Sequence, residues 1–346
     1  MSAETLAELS DLLVLAAVLL YLGAMIGFAV ELAFGKARAD TPRSRAGARV
    51  PVGVGAAAEP VESGSDASGS GPDPAAESRT DVLASPGGPA AGDVERAEEG
   101  PEPPAWARTA GLVAVAVAWL GWAANLAAIA TRGLAADRWP WGNMYEFVVA
   151  ICFAAVTAFL VTNVRQNIRF LGAFVMVSAA LGLGLAVLKF YTAAGPVVPA
   201  LNSYWLAIHV SAAILAGGLF TLAGAAGVLY LVRGDGLSRL PSRADLEKVA
   251  HKAIVVAFPL WTFAVIAGAL WADKAWGRYW GWDPKEVWSF ITWIGYAAYL
   301  HARVTAGWRG NRATVVQLIG FACLLFNLFG VNILFPGLHS YADVGG

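Results

Sequence analysis

Eight stretches of this chain, residues 10–34, 109–131, 145–164, 168–188, 204–232, 253–273, 286–306 and 313–335, are long and apolar enough to cross a bilayer, a span that needs about 20 residues. Backbone polar groups in hydrocarbon must be satisfied within the segment, so each run is expected to be a helix. The expected fold is an all-α polytopic membrane protein with about eight transmembrane helices. Composition agrees: 58% of residues are hydrophobic and 14% charged, against about 45–50% and about 25% in soluble domains. The net charge of −1 gives no reason to expect a nucleic-acid partner. Cys152 and Cys323 both fall inside apolar runs and read as packing residues. Glu4, Glu8 and Asp11 stand where a signal peptide would carry positive charge, so 1–34 reads as a retained N-terminal transmembrane helix.

Residues 35–105 break the pattern. They lack Phe, Trp and Tyr and are dense in Gly, Ala, Pro, Ser and Glu, a composition that cannot offset chain entropy by burial. A disordered cytoplasmic loop is expected there, followed by a seven-helix domain over 106–346. Basic residues set the topology. Eighteen of the 24 fall in alternate connections that include Lys36, Arg165, Arg243 and Arg309, and the positive-inside rule assigns these to the cytoplasm. Both termini are then extracytoplasmic, and so is the loop at 274–288.

That loop is the densest chemical feature. Residues 276–288 hold four tryptophans, two glycines, a proline and four charges. Asp283-Pro284-x-Glu286 reads as a helix start, with Asp283 as N-cap, Pro284 at the first helical position and Glu286 closing a capping box. Trp282 and Val287 are spaced as a hydrophobic staple. The cap leaves Trp276, Gly277 and Trp280 without a role. A helical loop would put Trp276, Trp280 and Asp283 on one face, as an aromatic platform for a large flat apolar ligand.

Four histidines are present. His209, near the outer end of the fifth run, and His339, in the tail, fall on the same face as the tryptophan loop. Two imidazoles beside an aromatic shelf suit a haem, as axial ligands with a surface for the ring. His301 lies 15 residues after Glu286, about 22 Å deeper, and suits a second, inner site. His251, between Lys248 and Lys252, reads as a solvated helix end.

Trp276-Gly277-x-x-Trp280-x-Trp282-Asp283-x-x-Glu286 resembles the "WWD" motif of haem-handling membrane proteins. Asn143-Met144-Tyr145-Glu146, Asn202-Ser203-Tyr204-Trp205-Leu206 with His209, Tyr299-Leu300-His301, and Gly330-Val331-Asn332 leading to Gly337-Leu338-His339-Ser340-Tyr341 resemble one branch. This is the CcsA/ResC-type subunit of the System II cytochrome c biogenesis complex, and the likeness runs from about residue 109 to the end. The resemblance implies that haem b is both ligand and substrate. It would enter from the cytoplasm at His301 and move to an outer site of His209, His339 and the WWD loop. Its vinyl groups would there meet the thiols of a Cys-x-x-Cys-His apocytochrome. The same resemblance implies a CcsB/ResB-type membrane partner, which supplies a second inner histidine, a holocytochrome c synthase activity of the whole complex, and a place in the plasma membrane. His251 is a further candidate for that inner ligand. Three other readings stay open: a WWD protein that delivers or ligates haem in another maturation pathway, a non-haem transporter or channel with an aromatic belt, and a structural membrane scaffold that docks the apocytochrome or partner without touching haem.

Overall fold

The computed structural model describes residues 1–35, 104–197, 201–233 and 240–339. The loop expected over 35–105 lies almost wholly outside these residues. Among the described residues eight long helices carry the architecture: α1 Ala3–Phe34, α2 Ala105–Ala136, α3 Met144–Arg165, α4 Gly172–Lys189, α5 Tyr204–Arg233, α6 Arg243–Trp276, α7 Pro284–Val304 and α8 Asn311–Leu325. A π-helical turn at Phe326–Gly330 joins α8 to a last short piece, α9, Val331–Leu334.

Among the described residues seven helices are long and apolar enough to cross a membrane. These are α1 to α6 and the continuous α8–α9 rod. The eighth expected span, 286–306, is helical as α7 but more polar, because it carries Glu286, His301 and Arg303 with several hydroxyl-bearing side chains. The outward surface is apolar: Leu15, Leu19, Leu120, Leu181 and Leu188 are more than half exposed. That inverts the pattern of a soluble bundle and matches a surface solvated by lipid. Cys152 and Cys323 are free thiols, Cys152 buried in the helix packing and Cys323 partly so.

Helix α1 packs along α2 and crosses α4; α5 packs along α6 and touches α3 and α8. Their contact faces are rich in alanine and glycine, including Ala212, Ala213, Ala216 and Gly217 on α5, the small residues that let helices approach closely in lipid. Helix α7 packs mainly on α8 and more lightly on α6. Trp261 Nε1 donates to the Ser289 carbonyl at 3.1 Å and Trp293 Nε1 to Thr262 Oγ1 at 2.9 Å across that lighter seam. Phe220 of α5 stacks on Tyr296 of α7 at 3.7 Å between centroids.

A two-histidine cleft as the candidate functional site

At one end of the bundle the start of α5, the end of α6, the start of α7 and the end of the α8–α9 rod surround a cleft of about 1270 Å³, its open mouth included. Both His209 and His339 line it, with Tyr279, Trp280 and Trp271.

Each imidazole is fixed through one ring nitrogen. Ser203 opens α5 by accepting the Trp205 amide on its hydroxyl at 3.2 Å, and His209 follows in the second turn. Its Nδ1 lies 2.7 Å from the Ala264 carbonyl of α6. A carbonyl oxygen can only accept, so Nδ1 carries the proton and the lone pair falls on Nε2. Gly268 makes the approach possible, because a Cβ there would stand 2.7 Å from His209 Cε1. His339 Nδ1 lies 2.8 Å from Asp283 Oδ2. The same reasoning puts its proton on Nδ1, so that the neutral ring carries its lone pair on Nε2.

Asp283 therefore does two jobs. It caps α7, with Pro284 at the first helical position and Glu286 closing the box from Oε2 to the Asp283 amide at 3.0 Å. Its carboxylate also accepts the Leu338 amide at 2.7 Å, as well as His339, which ties the tail to the loop. Burial works to raise the Asp283 carboxyl, but the hydrogen bonds from His339, Leu338 and Lys285, with the charge of His339 when it is protonated, outweigh it and hold the group below its ordinary 3.8. Glu286 is engaged with the loop as well. Its Oε2 accepts the Gly281 amide at 2.8 Å, and Arg278 stands 3.7 Å from Oε1.

The loop is not helical. Helix α6 ends at Trp276, where Gly277 takes a left-handed φ of +70° and its amide bonds the Asp273 carbonyl at 2.9 Å. A residue with a Cβ is strained in that region. The shared helical face expected of Trp276, Trp280 and Asp283 therefore does not form, and the tryptophans part company. Trp280 lines the cleft and meets Trp282 edge-on at 5.8 Å. Trp276 sits behind it, 4.7 Å from the Trp271 ring and 5.1 Å from His339, where it buttresses the imidazole. Trp282 is 70% exposed with φ +60°, so the expected staple onto Val287 buries little.

Trp271 has no counterpart among the expected site residues. It is 1% exposed, lies parallel to His209 at 6.1 Å and edge-on to His339 at 5.7 Å, and so is the common neighbour of both imidazoles. The cleft rim is held by a second unexpected group. Glu146 accepts two bonds from Arg138 at 2.8 and 2.9 Å, one from Arg132 at 3.3 Å and one from the Gly142 amide at 2.8 Å. This ties down Trp141 to Met144, which line the cleft.

His301 and His251 lie away from this site, toward the other ends of α7 and α6. His301 is exposed, with Nδ1 3.4 Å from Thr305 Oγ1. His251 is not simply solvated, as its sequence context suggested. Its Nδ1 lies 3.3 Å from the Tyr299 hydroxyl in the seam between α6 and α7. Tyr299 and His301 are two residues apart on α7, so they point to nearly opposite sides of the helix. His251 and His301 accordingly face different surroundings.

Among the described residues no group of three or more His, Cys, Asp or Glu could hold a bare metal ion. Two imidazoles on an aromatic wall suit instead a metal whose other ligands come from a flat macrocycle. The fold and the cleft define a polytopic all-α membrane protein with a histidine-bearing aromatic site at one end. Residues 141–339 match the family described as Cytochrome C assembly protein. The chain is 34% identical over 287 residues to "Cytochrome c biogenesis protein CcsA" of Synechococcus elongatus, covering 67% of this chain and 86% of that one. It is 30% identical over 280 residues to the protein of that name from Gloeobacter violaceus, covering 63% and 82%. For that of Guillardia theta the figures are 33% over 245 residues, 62% and 80%. The chain belongs to the cytochrome c assembly family, as a CcsA-type cytochrome c biogenesis protein.

Proposed function

We propose that the cleft receives haem b as substrate, with His209 and His339 as the two axial ligands of its iron. The observation that carries this is the pair of Nδ1 anchors, Ala264 O on one side and Asp283 Oδ2 on the other. Ligating histidines are commonly held in this way, with the second nitrogen bonded to a carbonyl or carboxylate. Trp280 and Tyr279 give the ring an apolar shelf, and Trp271 and Trp276 hold the imidazoles in place.

In this reading the site is on the extracytoplasmic face of the plasma membrane, as the charge bias of the loops argues. Haem is presented there to a Cys-x-x-Cys-His apocytochrome. Each thiol adds across one vinyl group: sulfur bonds the carbon next to the ring, hydrogen goes to the terminal carbon, and no oxidant is consumed. No side chain in the cleft is needed as a general acid or base, because holding thiol and vinyl together supplies a large share of the rate. His301 marks an inner point of haem entry, and its exposed position on α7 suits a site completed by a CcsB/ResB-type partner subunit.

The test is the visible spectrum of the protein purified with its partner from haem-replete cells. A six-coordinate bis-histidine signature is expected. His209→Gly and His339→Gly should each lose it and fail in cytochrome c assembly, and added imidazole should restore both. No bound haem, together with intact assembly in the two glycine variants, would refute the reading.

A further inference from the structure

Two residues lining the cleft belong to the charged types, Lys285 and Glu286. Glu286 is engaged with the Gly281 and Asp283 amides and faces Arg278. Lys285 is differently placed. It is the second residue of α7, at the end of the helix where the backbone dipoles disfavour a cation. Its ammonium donates to the Asn327 carbonyl at 2.5 Å and approaches that of Leu328 at 3.4 Å, both in the π-turn. Among the described residues no carboxylate stands within ion-pair distance of it, and the nearby Asp283 carboxylate is turned to His339 and Leu338. Two neutral carbonyls are weak compensation for an ammonium drawn into a cleft wall: burial pulls the Lys285 ammonium down to about 7, against the charge of Asp283, and an anion placed here would favour the charged form.

A second observation points to the same corner. The Asn327 side chain lines the cleft, is 7% exposed, and its Oδ1 has no hydrogen-bond partner. Turned by half a rotation, that amide presents its NH₂ instead. An ammonium bonded to two carbonyls with no ion pair, and a buried amide oxygen with no partner, thus line the same cleft, in a wall that is otherwise mostly apolar and aromatic.

We propose that this corner binds a carboxylate on the edge of the flat ligand, with Lys285 as the charged donor and Asn327 as the neutral one. The inference rests on the haem reading above. In haem b the two propionates lie on the half of the ring opposite the vinyls. A propionate held at Lys285 therefore fixes the in-plane rotation of the ring and with it the direction in which the vinyls point. Two imidazoles alone leave that rotation undetermined. Lys285 is thus a specificity-determining residue for substrate orientation.

The experiment is a titration of the full-length protein in lipid nanodiscs with ferric protoporphyrin IX and, separately, with its dimethyl ester. The readout is the ratio of the two affinities, compared between the wild type and Lys285→Met, so that lipid partitioning of the ester cancels. The wild-type preference for the diacid should exceed that of Lys285→Met by about ten- to a hundredfold, and Lys285→Arg should keep it. If the Met variant is not folded, Lys285→Gln replaces it, since Gln still donates to the Asn327 carbonyl without a charge. Equal ratios in wild type and variant would overturn the inference; if the ester still gave a bis-histidine spectrum, the haem site itself would stand. Failure of both ligands to give that spectrum in the wild type would remove the haem reading and this inference together.

Discussion

The two ends of the α6–α7 pair hold histidines in contrasting ways. At the cleft, each Nδ1 meets an atom that can only accept, so the protonation pattern is set by the fold. At the other end, His251 meets a tyrosine hydroxyl and His301 a threonine hydroxyl. A hydroxyl both donates and accepts, so neither ring is committed to one tautomer. At one end two histidines line one cleft; the other has an exposed imidazole and a seam histidine that face different ways. The contrast teaches that a histidine in a membrane protein is best judged by what holds its second nitrogen.

Removing one histidine from each end separates their roles most clearly. In protein loaded with haem after purification, His209→Gly should abolish the bis-histidine spectrum and His301→Gly should leave it unchanged. The His301 change should lower haem occupancy only in protein isolated from cells. Equal spectral loss in both would erase the distinction between the two ends.

Asp283→Asn comes next in size. Asn is as good an N-cap as Asp, so α7 keeps its start and the thermal stability cost should stay on the order of 1 kcal/mol. The His339 anchor loses its charged acceptor, and haem affinity should fall by about ten- to a hundredfold. A large unfolding shift with unchanged affinity would mean that capping is the only role. Within the tryptophan loop, Trp280→Ala should weaken haem binding several-fold through lost ring contact while the ligation spectrum persists. Trp276→Ala should disturb the spectrum itself by loosening His339, and matching outcomes would contradict their separate placement.

The smallest effect is the pH response. The Asp283 carboxyl is held below its ordinary 3.8, so its ionised form stabilises the folded loop. That contribution is fully present above about pH 4 and is lost as pH falls through the depressed folded value. Thermal unfolding midpoints of wild type and Asp283→Asn should therefore stay apart above about pH 4.5 and converge below pH 4. Convergence at higher pH would mean that the carboxyl is not held low.

Much of this was legible in the residues. Apolar runs gave the helices because the bilayer leaves no other way to satisfy the backbone, and Asp283-Pro284-x-Glu286 gave the start of α7 because capping is local. His209 and His339 were brought to one end by charge bias and helix counting, and they do share the cleft. What escaped depends on contacts between distant positions. Asp283 and His339 are 56 residues apart, and no local pattern links a cap to an imidazole. Trp271 falls inside the apolar run 253–273 with no local mark, and only its place between the two rings distinguishes it. The break at Gly277 was visible as a glycine, yet the heptad-like spacing of Trp276, Trp280 and Asp283 suggested a helix running through it.

The Asp283 carboxylate makes one turn of helix and one ligand interdependent. The tail imidazole is correctly aimed only once the loop has closed and the first turn of α7 has formed, because the same two oxygens complete both. By thermodynamic reciprocity, whatever grips that imidazole also tightens the turn. A ligand that engages His339 should thus rigidify the loop, and its release should loosen it.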